Sequence, residues 1–276
     1  MINRYAIIIE SSNVRGQEDL PGARQDAANW RSFLTSDLGG AWNDTEIMSL
    51  NKPSSFHIKK LLTIMEAKYV FLAFSGHGYE EYNLVTRKHE TKICLNESEQ
   101  GVAIDTISPA RLGTAVFDCC RGVEHAQGHV KIANESFSAA RQASFGFAMD
   151  SAGRLVANSA TYGNQVRETI GEFYLQEIER LSTHASVRMY SCSRNESAGE
   201  DPSAGGYYTT LLIQGAKVWG EEQRGNRCFA EFSTKQAHDF ASAAMKEVNP
   251  SQHPEYTPVW QSYPFAIGRP NGLLRR

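Results

Sequence analysis

The chain has 276 residues, 41% of them apolar, and a formal net charge of -3. That length allows one large domain or two small ones around a real core. The near-neutral charge removes any bulk electrostatic reason to bind nucleic acid or an anionic membrane, and no stretch has the apolar length needed to span a bilayer. The opening "MINRYAIIIE" is too short in apolar residues for a secretory leader and lacks a cleavage pattern, so the protein is expected in the cytoplasm. Cysteines stand at 94, 119, 120, 192 and 228, an odd set without a C-x-x-C pair, which predicts reduced thiols and no disulfide framework.

Along the chain, short apolar runs alternate with helix-period segments. "YAIII" (5–9) predicts a buried strand. Residues 23–38 then set Ala23, Ala27, Trp30, Phe33, Leu34 and Leu38 at helical spacing, ended by Gly39-Gly40. "EIMSL" (46–50) predicts a second strand, and Pro53 opens a helix with Phe56, Leu61, Leu62 and Met65 on its apolar side. "YVFLAF" (69–74) and "GTAVFD" (113–118) are apolar almost throughout, as central parallel strands are, and "SVRMYSC" (186–192) continues the series. This alternation predicts an α/β fold: a mainly parallel central sheet flanked by helices on both faces.

Three stretches interrupt the rhythm. Residues 82–97 read as a polar hairpin within an insertion spanning 80–100. Residues 122–168, rich in Gly, Ala, Ser and Asn, read as irregular and flexible. "SRNESAGEDPSAGG" (193–206) reads as a loop. Without a repeat or a clean linker, residues 1–276 are expected to form a single domain. Its last part, with Pro254, Pro258, Pro264 and Pro270, wraps the surface and holds a short strand near "PVWQSY".

Two strands run into unusual residues. "YVFLAF" leads into Ser75-Gly76-His77-Gly78, and "TAVFD" leads into Cys119-Cys120-Arg121-Gly122. In open parallel sheets, ligands bind at the carboxyl ends of strands. If the two strands are neighbours, an imidazole and a thiol face one crevice. A thiol at its ordinary pKa is mostly protonated at neutral pH, and an imidazole can take its proton and return it to a leaving amine. The N–H groups of Gly78 and Cys120 are candidate donors to the oxyanion of the tetrahedral intermediate.

"FSGHG" followed by "DCCRG" resembles the caspase and metacaspase superfamily of cysteine peptidases. In caspases the nucleophile precedes Arg-Gly, and in metacaspases it is the third residue of D-x-C. Both rules select Cys120, which leaves Cys119 as a small buried hydrophobe. "LPGARQDAANWRSFL" (20–34), "GYYTTLL" (206–212) and "QSYPFAIG" (261–268) extend the resemblance over about residues 5–268. It implies a caspase-like fold, a His77/Cys120 dyad, and protein or peptide substrates.

The resemblance also bears on specificity. Caspases carry a glutamine two residues before the nucleophile and cut after aspartate. Here the position holds Asp118, as in metacaspases, where it faces a basic side chain. Glu196 and Glu200 in the 193–206 loop are further substrate-binding candidates; Asn195 stands where metacaspases carry a second pocket aspartate. Arg24 and Arg194 keep an aspartate-specific pocket open as the alternative, and a caspase-like binding module without activity is a second one. No cofactor is required by this chemistry, although a metacaspase-like calcium requirement stays open through Glu80-Glu81 and the 196–201 acids. Arg141, Arg154 and Arg167 are candidate cleavage sites in a self-processing segment. The resemblance further implies an upstream protease or regulator, and by analogy a prokaryotic stress or antiviral defence role. Cys119, Cys120, His125 and His129 could form a zinc set, but adjacent cysteines seldom converge on one tetrahedral ion. Cys94, Cys192 and Cys228 read as inert thiols.

Overall fold

The computed structural model describes residues 3–65, 69–122, 158–181 and 185–270. Its centre is a six-stranded sheet in the order β12-β8-β7-β3-β1-β2. These strands are β1 (Arg4–Ser11), β2 (Ile47–Asn51), β3 (Tyr69–Gly76), β7 (Gly113–Asp118), β8 (Val187–Tyr190) and β12 (Glu255–Thr257). All neighbours are parallel except the edge pair of β12 and β8. β3 and β7 are fully buried along their length, which explains their unbroken apolar sequences.

The two faces of the sheet are covered differently. Side chains alternate along each strand, so Phe71, Ala73 and Val116 face one way while Leu72, Phe74, Ala115 and Phe117 face the other. The first face carries helices α1 (Pro21–Thr35), α3 (Asn158–Glu179), α4 (Tyr207–Glu222) and α5 (Thr234–Val248). They contribute Trp30, Phe33, Ile170, Tyr174, Leu212 and Met245 to one large core. Among the described residues the second face carries one helix, α2 (Ser55–Ile64), whose Ile58 is buried. Beside it lies a small antiparallel sheet of β4 (Gly78–Asn83), β5 (Lys88–Ile93) and β6 (Val102–Ala103), which adds Ile93 to the second core. Both faces do carry helices, but a hairpin does part of the covering on the second.

Several expectations shift in detail. The polar hairpin begins directly after His77, earlier than its composition marks, because β4 starts on Gly78. Phe56 points to solvent at 74% exposure, and Ile58 and Met65 carry the buried side of α2. Ser54, not Pro53, caps that helix, accepting from the His57 N–H. The short strand expected near "PVWQSY" lies beside it rather than on it: β12 ends directly before it, and β13 (Pro264–Gly268) begins directly after it. β13 pairs with β11 (Ala230–Ser233) outside the central sheet. The stretch expected to be irregular up to 168 is helical from Asn158, so Arg167 lies within α3 and faces Asp37 at 3.6 Å. Helical backbone must unwind before a protease can hold it extended, which disfavours Arg167 as a cleavage site. Arg141, Arg154, His125 and His129 lie outside the described residues. Among the described residues no helix is long and apolar enough to cross a membrane.

Candidate active site

The register of the central strands brings the two motif ends together. β3 and β7 are parallel neighbours, and their last pair is Ser75 with Asp118. His77 and Cys120 each follow that pair by two positions. The segments continue side by side, since the Glu80 N–H bonds the Gly122 carbonyl at 2.9 Å. Gly78 fits here only as glycine: a Cβ would stand 2.7 Å from Cys119 Sγ and 2.8 Å from the Cys120 carbonyl oxygen. The Cys94 N–H bonds the His77 carbonyl. The alternation of an antiparallel ladder then turns the Gly78 N–H away from β5, toward the cysteines.

His77 Nε2 lies 2.6 Å from the backbone carbonyl of Glu18. A carbonyl only accepts, so Nε2 carries the proton and Nδ1 is the basic nitrogen in the neutral ring. Cys120 is half-buried, and the Ala198 N–H points at its sulfur from 3.3 Å. Burial pushes the Cys120 thiol up; the Ala198 N–H and Ser197 hydroxyl draw it down, and Asp118 and Glu200 push it further up. Cys119 and Cys192 are fully buried, and burial pushes both thiols well up, which makes them poor nucleophiles. Cys228 is exposed.

Asp118 is 6% exposed, and its Oδ2 accepts from the Thr209 N–H at 3.0 Å and the Thr209 hydroxyl at 2.8 Å. Beside it is Asp26 of α1, 1% exposed, held by Ser75 Oγ at 2.9 Å and the Gly206 N–H at 2.9 Å. Gly206 is wedged between them: a Cβ there would meet Asp118 Oδ2 at 2.4 Å and Asp26 Oδ2 at 2.9 Å. Burial raises both carboxyls, and the charge of Asp118 raises Asp26 well above the usual range. Among the described residues no cation forms an ion pair with either.

The loop acids part company. Glu200 begins the two-residue strand β9 (Glu200–Asp201), which pairs with β10 (Gly205–Gly206). It joins the aspartates: it accepts from the Gly22 N–H at 3.2 Å at the start of α1, and burial and the Asp118 charge push its carboxyl up. Glu196 does not join them. Its oxygens accept from the Ser193 N–H at 3.0 Å, the His253 N–H at 2.8 Å and His253 Nδ1 at 2.7 Å. Its carboxylate instead pins the loop to the β12 side. The two arginines of the aspartate-specific alternative have acidic partners of their own. Arg24 is bidentate on Asp19 at 2.8 Å for each bond, and Arg194 stands 3.9 Å from Glu80.

Asp26, Ser75 and the Glu18 carbonyl escape a motif-based reading. Asp26 left a trace: at i+3 from Ala23 and i-4 from Trp30 it falls on the buried stripe of an amphipathic helix, where an unpaired acid is rare. A main-chain carbonyl leaves none. Among the described residues no group of three or more His, Cys, Asp and Glu side chains is arranged to hold a metal ion.

The family model of the caspase domain matches residues 3–262. The chain therefore belongs to the caspase domain family of cysteine peptidases, whose substrates are proteins, and its mostly parallel six-stranded sheet agrees with that fold. No curated protein matches the chain.

Proposed function

We propose that the chain is a cysteine endopeptidase that uses Cys120 and His77 and cleaves after arginine or lysine. One observation carries the specificity: Asp26 and Asp118 are buried together, and among the described residues no cation pairs with them. Burying one carboxylate is costly, and burying two side by side costs more, so such pairs are kept where something positive completes them. A guanidinium entering from a substrate would meet Asp26, Asp118 and Glu200, with bidentate geometry open to it. The pocket also acts on the nucleophile. Asp118 and Glu200 hold the thiol up, so a bound cation that offsets their charge lowers the thiol toward thiolate as substrate arrives.

The reaction follows. His77 Nδ1 takes the Cys120 proton, and the sulfur attacks the carbonyl carbon before the scissile bond. The oxyanion is received by the N–H groups of Gly78 and Cys120. Collapse expels the amine, which leaves with the proton from His77, and a thioester remains on Cys120. Water, deprotonated by His77, hydrolyses it. The Glu18 carbonyl holds the ring in the productive tautomer throughout.

Fluorogenic peptides with Arg, Lys or Asp before the reporter, assayed with and without calcium, test this reading. Cleavage after Arg or Lys that disappears in Cys120→Ala is expected. Preference for Asp overturns the pocket; activity that persists in Cys120→Ala overturns the dyad. Comparing wild type with Cys120→Ala by gel tests self-processing at Arg141 or Arg154.

A further inference from the structure

A second buried acidic site lies on the opposite face of the sheet. Glu80 of β4 has a side chain 1% exposed, and its Oε1 accepts from Arg121 Nε at 3.0 Å and Thr91 Oγ1 at 2.5 Å. Arg121 directly follows Cys120. Its guanidinium also reaches Glu255 at 2.5 Å and the Cys192 carbonyl at 3.1 Å, and it lies 4.4 Å over the Tyr190 ring. Glu80 Oε2 is buried with no hydrogen-bond partner, and Arg194, at the head of the 193–201 loop, stands 3.9 Å from it. Main-chain bonds run through the same junction: Glu80 N–H to the Gly122 carbonyl at 2.9 Å, Arg121 N–H to Glu196 at 2.9 Å, and Asn195 N–H to Arg121 at 2.8 Å.

A buried ion pair does little for net stability, because desolvating both charges offsets most of their attraction. What it supplies is fixed geometry. This one sits where the strand behind His77 crosses the segment behind Cys120, with the loop that bonds the Cys120 sulfur as a third party. We propose that Glu80 is a positioning residue: its carboxylate holds the His77 strand, the Cys120 segment and the head of the 193–201 loop in one register. The inference rests on His77 and Cys120 being base and nucleophile. Without Glu80 the base and the sulfur drift relative to each other, while the acid pocket on the far face is untouched.

Two measurements on the full chain test it: kcat and KM on an Arg peptide, and the alkylation rate of Cys120 by iodoacetamide, read by peptide mass mapping with and without His77→Ala. Glu80→Ala is expected to lower kcat about ten- to a hundredfold with KM within about twofold, since a displacement near 1 Å can have that effect. It should lower the His77-dependent share of alkylation in parallel. Glu80→Gln, which keeps an acceptor for Arg121, should recover most of both. If Glu80→Ala does not fold, the double variant Glu80→Leu/Arg121→Leu replaces the pair with apolar side chains and restores packing. A positioning role keeps its kcat and alkylation low although it is folded. Wild-type kcat and alkylation in Glu80→Ala or in the double variant overturn the proposal and leave the dyad standing. Cys120 alkylation that ignores His77→Ala in the wild type overturns the dyad reading and this inference with it.

Discussion

The same pair of strand ends is flanked by two acidic sites built in opposite ways. On the hairpin face, Glu80 is buried against Arg121, so its charge is answered within the chain. On the helical face, Asp26 and Asp118 are buried against each other, and hydrogen bonds from Ser75, Gly206 and Thr209 do not supply a positive charge. In the first site the charge is balanced as folded. In the second, two carboxyls raised by burial sit beside Cys120, and on the proposed reading a cationic substrate side chain completes them.

Breaking the completed site should have the largest effect on stability. Arg121→Met leaves Glu80 buried without its cation, and urea denaturation should show a loss of about 3–5 kcal/mol. Adding Glu80→Leu should return most of it. Breaking the incomplete site should act on function instead. Asp118→Asn is expected to lower kcat/KM for Arg peptides by about 2–5 kcal/mol, a factor of roughly 30 to several thousand. Asp26→Asn should do likewise while raising stability at neutral pH by about 0.5–2 kcal/mol, because it removes like-charge burial. A urea midpoint that falls in Asp26→Asn would argue that the acid pair is structural.

Acidity separates the two roles as well. The folded carboxyls of Asp26 and Asp118 hold protons to higher pH than ordinary aspartates, which titrate near 4. The folded state then binds more protons than the unfolded one between those values, so their contribution to stability falls as pH rises through the folded pKa. The ionised form is the one that binds a guanidinium, so KM for Arg peptides should rise as pH falls through the same window. KM and stability measured across about pH 4–8 should therefore rise together as pH falls, with protonation stabilising the fold and emptying the pocket of charge. The smallest effect is expected from Glu196→Gln. Both oxygens bond locally, so kcat/KM for an Arg peptide should change less than about threefold, whereas Glu200→Gln should change it more. The reverse order would show that the loop rearranges when substrate binds.

The strands, the first helix and the segments that carry His77 and Cys120 were legible because their patterns are strong: unbroken apolar runs for β3 and β7, and glycines on both sides of His77. The adjacency of the His77 and Cys120 segments was legible because one register, Ser75 with Asp118, follows from two parallel neighbours. The buried acid pair was legible by half. Asp118 stands beside the nucleophile in sequence, whereas Asp26 arrives from α1 and is recognisable only by its place on a buried stripe. Glu196 and Glu200 look alike in the loop "NESAGED", and only the fold separates them, sending one to His253 just before β12 and the other to the start of α1. The hairpin boundary was obscured because Gly78 and Tyr79 carry no alternating signal before the polar run.

The bond from His77 to Glu18 has a consequence for genetics. The partner is a peptide oxygen, so every amino acid that could be written at codon 18 presents the same atom. A saturation screen of single replacements would score this position as dispensable even though its main chain orients the imidazole. Only a change in the path of the chain, such as a deletion between Ser12 and Leu20, would expose it.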